Sequence, residues 1–202
     1  MQQLPIKVVL CGSPHSGKSC LREGLKQAMM SMHRAGKAPY PYFITACPDG
    51  EGAWFAETVR NNPALAQQLK DEYKSKFTLE FAQQKAIQVK NACLPLNLID
   101  LGGKIDDKNK LIASYATHAL ILFRDITQIT PWREFCLELN LQIIACIHSD
   151  YDGVADRIDF ESSMLIGSIH RLQRGEDISE RPMVQELARL LVGLSDSSNL
   201  YK

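Results

Sequence analysis

Gly12-Ser13-Pro14-His15-Ser16-Gly17-Lys18-Ser19 satisfies the pattern G-x-x-x-x-G-K-[ST] at every fixed position. The flanks supply the context that the pattern needs. Ile6-Lys7-Val8-Val9-Leu10-Cys11 is an apolar, β-branched run that reads as a buried strand. Beyond Ser19 the apolar residues Leu21, Leu25, Ala28, Met29 and Met32 recur at helical spacing. Strand, glycine-rich loop and helix together predict a phosphate-binding loop rather than a chance glycine turn.

The chemistry expected of the loop follows from its residues. Gly12 and Gly17 carry no Cβ, so the backbone can turn tightly and approach a polyphosphate. The amides of Gly12 through Cys20 then form an anion nest at a helix N-terminus. Lys18 is expected to reach the β- and γ-phosphates, and the Ser19 hydroxyl to hold a magnesium ion. His15 occupies a variable position of the pattern, where it faces solvent.

Outward from the loop the chain alternates. Strands are expected at 42–47, 96–100, 118–123 and 142–147, with a weaker one at 164–169. Helical patterns fill 53–60 and 64–92 (the second with a break), then 107–115, 131–139 and 182–194, and 195–202 reads as a flexible tail. Strands alternating with helices predict a single domain over 1–202, a three-layer α/β phosphate-loop NTPase fold with a mostly parallel central sheet.

Ligands of such sheets bind at the carboxyl ends of the strands. Asp100 closes the third expected strand and opens Asp100-Leu101-Gly102-Gly103, an Asp-x-x-Gly switch pattern. A carboxylate there suits magnesium beside Ser19, and the Gly103 amide suits a γ-phosphate. Asp49 and Glu51 follow the second strand and are candidates to activate an acceptor hydroxyl, although Pro48-Asp49-Gly50 also reads as a plain turn. Trp54 fits core better than an acceptor pocket. Arg171 and Arg174 are candidates for a phosphate-clamping arginine, against the alternative of a surface turn paired to Glu176 and Asp177. Periodicity does not separate the two arginines.

No Asn-Lys-x-Asp guanine motif follows the fifth strand, which reads Cys146-Ile147-His148-Ser149-Asp150, so ATP is the expected nucleotide. The third strand ends Asp-Leu where hexameric AAA-type motors carry Asp-Glu. Among 202 residues, 23 Lys plus Arg balance 23 Asp plus Glu, so net charge gives no sign of a nucleic-acid partner. Six cysteines without a C-x-x-C pair read as free thiols of a reducing compartment. No segment has the length of a membrane span and Met1–Pro5 shows no signal peptide, so a cytoplasmic protein is expected.

With Cys11–Ser19, Pro48–Gly52 and Ile99–Lys104 in view, the chain resembles the P-loop domain that accompanies CRISPR-associated ring nucleases in cyanobacteria, fused to them or nearby. Ala116–Ile121 and Arg171–Arg181 extend the likeness over most of the chain. The resemblance implies ATP binding at Gly12–Ser19 and a role in type III antiviral defence beside a ring nuclease. The nuclease domain itself is not recognisable, so its activity is not carried over. Three functions are therefore expected to compete: a magnesium-dependent ATPase or kinase-like enzyme, a slow nucleotide sensor that signals as a homo-oligomer, and a small-molecule kinase.

Overall fold

The computed structural model describes residues 4–48 and 77–197. Among them, seven strands form one sheet: β1 (Ile6–Cys11), β2 (Pro41–Thr45), β3 (Leu96–Asp100), β4 (His118–Phe123), β5 (Gln142–Asp150), β6 (Arg157–Glu161) and β7 (Met164–His170). Their order is β2-β3-β1-β4-β5-β7-β6, with every neighbouring pair parallel except β6 against β7.

The described helices are α1 (Lys18–Arg34), α2 (Leu79–Asn91), α3 (Asp107–Ala113), α4 (Ile129–Glu138) and α5 (Pro182–Ser197). They cover both faces of the sheet. Val8, Leu10, Leu120 and Leu122 pack with α1 and α5 residues such as Leu25, Met29 and Leu187. Val9, Cys11, Ala119 and Ile121 pack with Ala82, Ile112, Trp132 and Phe135 of α2, α3 and α4. One apolar run thus feeds two cores, because successive strand side chains point to opposite faces. The three-layer α/β fold with a mostly parallel sheet is the one the sequence predicts.

Element ends depart from expectation at identifiable places. The expected helix at 53–60 and the 64–76 part of the 64–92 pattern lie outside the described residues; the rest forms α2 from Leu79, capped by the Thr78 hydroxyl, which accepts from Phe81 N at 3.2 Å. Strand β5 continues to Asp150 because β7 pairs along it from Ala145 to Asp150. The expected tail begins too early. Helix α5 takes in Ser195, which is 1% exposed and donates to the Val192 carbonyl at 2.6 Å. Strand β6 has no counterpart in the expectation: all five residues are exposed, so no core-facing pattern announces an edge strand.

The register gathers the site. Leu10 of β1 and Thr45 of β2 both lie opposite Asp100 of β3. The strand carrying Asp100 is therefore the immediate neighbour of the strand that feeds the glycine loop.

Candidate functional site

A cavity of about 380 Å³ lies at these strand ends, walled by Pro14–Cys20, Asp100–Lys104 and Arg174, among others. The loop enters it for clear local reasons. Gly17 sits at φ 91°, a left-handed conformation favourable to glycine, and starts α1 without a side-chain cap. The first turn of α1 holds no acidic residue either, so neither a side-chain cap nor a carboxylate offsets the positive end of its dipole.

Lys18 folds back over its own loop, donating from Nζ to the carbonyls of Gly12 at 2.6 Å and Ser13 at 3.1 Å. Ser16 is 1% exposed and its Oγ has no hydrogen-bond partner among the described residues. A buried hydroxyl without a partner is costly, and an anion at the loop would satisfy it. Gly12 backs onto the Leu122 carbonyl, and Ser13 Oγ lies 3.4 Å from the Trp132 indole nitrogen, so both support the loop from behind the cavity wall. His15 is exposed at φ 63°, and Pro14 beside it is exposed as well.

The second wall is pinned to the first. A Cβ on Gly103 would stand 2.6 Å from Pro14 N, so only glycine lets this turn come so close to the loop. Asn109, fully buried in α3, holds the turn in shape. Its Oδ1 accepts from Gly102 N at 3.1 Å, while its Nδ2 donates to the carbonyls of Gly102 at 3.2 Å and Lys104 at 2.6 Å. Asp106 fixes the start of α3 by accepting from Asn109 N at 2.9 Å. Asp100 is 7% exposed and lines the cavity with Ser19. Hydroxyl and carboxylate oxygens are the hard donors that magnesium prefers, so the two residues fit the ion.

The structure separates the two arginines. Both are exposed, but Arg174 lines the cavity, whereas Arg171 is not part of its wall and sits at φ 40° with its N–H on the Asp150 carbonyl at 3.0 Å. Glu176 pairs with Arg181 at 2.7 Å, and Asp177 accepts from Ser179 N at 2.9 Å, so neither acid pairs with Arg171 or Arg174. Burial pushes the Cys20 thiol up, and the nearby Arg174 charge opposes that shift. Asp49, Glu51 and Trp54 lie outside the described residues.

Several wall residues escape sequence reasoning. Leu172 packs where a Gly17 Cβ would be, with its Cδ1 2.6 Å from that point. Phe77 and Lys108 meet through a Lys108 Nζ to Phe77 carbonyl bond of 2.8 Å and a cation over the ring at 4.7 Å. Asp106 gives a capping signal in the sequence, but nothing there marks Asn109, Phe77 or Leu172. None of the six cysteines forms a disulfide, and three of them (Cys11, Cys136, Cys146) are buried. Among the described residues no cluster of three or more His, Cys, Asp or Glu side chains is arranged for a metal, and no helix is long and apolar enough to cross a membrane.

No protein-family model matches the chain, and comparison with curated proteins finds no match. Among solved structures, the chain is similar to a nucleotide-binding protein from Archaeoglobus fulgidus in complex with ADP. The two share 13% identity at a TM-score of 0.46, over 99% of this chain and 90% of that one. A likeness that loose transfers neither a ligand nor a binding residue.

Proposed function

We propose that the chain is a magnesium-dependent, ATP-binding phosphate-loop protein that catalyses phosphoryl transfer. One observation carries the reading: the uncapped N-terminus of α1, its lysine and the Asp100–Gly103 turn face a single cavity. The loop amides and Lys18 neutralise the phosphates, with Lys18 exchanging two carbonyl partners for phosphate oxygens. Ser16 gains the partner it lacks. Ser19 and Asp100 would hold magnesium, which supplies charge neutralisation at the β- and γ-phosphates. The Gly103 amide would serve the terminal phosphate, and Asp49 or Glu51 is the proposed base toward water or an acceptor hydroxyl.

The resemblance supports the finer placement, a nucleotide-dependent partner of a ring nuclease in type III antiviral defence. Six cysteines without a disulfide support a reducing, cytoplasmic setting. A γ-labelled ATP assay with magnesium tests the reaction. Label is expected to leave ATP in the native protein and to stay on it in Lys18→Ala; unchanged release in that variant overturns the proposal. Release that requires an added acceptor identifies a small-molecule kinase. A change in assembly on size exclusion with negligible release identifies a sensor.

A further inference from the structure

The two ends of the cavity differ in what closes them, and the difference orients a nucleotide. At one end Gly103 presses on Pro14, and Asp100 of the same strand–turn segment lines the cavity. Lys18 Nζ points back toward Gly12 and Ser13, the start of the loop. Since the loop lysine serves the β- and γ-phosphates, the terminal phosphate belongs at the start of the loop and the Asp100–Gly103 end. A triphosphate laid along the loop therefore runs from there toward Ser19 and Cys20, and its nucleoside leaves past Cys20. Leu172, packed over Gly17, and Arg174 line the same cavity as Cys20, and the Arg174 charge acts on the Cys20 thiol.

We infer that Leu172 and Arg174 form the nucleobase subsite, with the Arg174 guanidinium stacked on the face of a purine. The inference rests on the phosphate-loop reading above and assigns Arg174 to the base rather than to the reacting phosphate. An apolar wall beside a flat cation suits a flat heterocycle, and the larger purine face gains more from it than a pyrimidine. Among the described residues Arg174 makes no ion pair that would divert its charge.

The segment carrying Arg174 is braced at both ends, which reduces the ordering cost of using it. Arg181 donates to the carbonyls of His170 and Arg171 on one side and to Glu176 Oε1 at 2.7 Å on the other. Below this clasp, the buried Asp156 carboxylate accepts from His170 N at 3.1 Å and Met183 N at 3.1 Å, and its Oδ1 lies 2.6 Å from His170 Nδ1. Strand β7 and helix α5 are thereby tied where the loop leaves and returns. Arg181 is a positioning residue for Arg174.

Calorimetric titration with ATP and with inorganic tripolyphosphate, both with magnesium, tests the subsite. Arg174→Ala is expected to weaken ATP about tenfold and to leave tripolyphosphate within about twofold. Arg174→Lys keeps the charge without the plane and should behave like Arg174→Ala. Arg181→Gln should repeat the ATP-selective loss in weaker form, which a merely structural role would not produce. CTP should lose less than ATP in Arg174→Ala. Equal losses of ATP and tripolyphosphate would place Arg174 on phosphate and overturn the inference, as would no loss of either. Lys18→Ala separates the two readings: it should lose both ligands, and if it keeps both, the phosphate loop fails whatever Arg174 does.

Discussion

Where the parallel strands begin, Lys7 donates from Nζ to the Lys90 carbonyl at 2.8 Å, and Thr117 Oγ1 joins the N–H and carbonyl of Lys7, each at 3.0 Å. Asn97, in the same region, gives its amide N–H groups to the carbonyls of Ile6 and Leu94, though its Oδ1 has no partner. Where the strands end, the polar groups are arranged otherwise. Helix α1 starts without a cap, Ser16 Oγ is buried without a partner, and Lys18 rests on carbonyls of its own loop. The first edge spends its polar groups chiefly on joining strands to helices. The second keeps donors for something that is not protein, as a preorganised anion site must.

Four changes probe this contrast, from the largest expected effect to the smallest. Asp100→Asn removes the carboxylate proposed for magnesium and should cut turnover by at least about a hundredfold. Retained turnover would remove Asp100 from the site. Gly103→Ala puts a Cβ against Pro14 and forces the turn off the loop; a stability loss of about 1–3 kcal/mol and a roughly tenfold drop in turnover are expected. Denaturant unfolding and turnover, measured on the same sample, check both.

At the opposite edge, Thr117→Val leaves the Lys7 N–H without its acceptor and should cost about 1–3 kcal/mol of stability. Its ATP affinity should stay native; a matching fall in affinity would break the separation of the two edges. The smallest effect is a pH dependence. Burial holds the His118 imidazole below its usual value of 6.5, so the unfolded chain takes up the proton more readily than the folded one. The stability tied to neutral His118 is therefore full above pH 6.5 and declines as pH falls from there through the lowered folded value. Thermal melting between pH 7 and 5 should decline less steeply in His118→Gln than in the native chain.

The contrast also explains what sequence can reveal. Strands β1, β3 and β4 are legible to the residue because buried parallel strands favour near-continuous apolar runs. The Gly12–Ser19 loop and Asp100 are legible because their chemistry is local to a strand end. Asn109 is not, since its role is to satisfy backbone groups five to seven residues away in a turn whose shape the sequence does not announce. Likewise Arg171 and Arg174 look alike in sequence and both are exposed, and only the fold brings Arg174, not Arg171, to the cavity wall. Strand β6 escapes because pairing to β7 sustains it without burial.

Equilibrium binding of ATP with magnesium to the native chain and to Lys18→Ala tests the central claim most directly. The account predicts one site per native chain and an affinity loss of about a hundredfold or more in the variant, with its thermal unfolding little changed. Equal affinity in the two proteins, or no binding by the native chain, would contradict it.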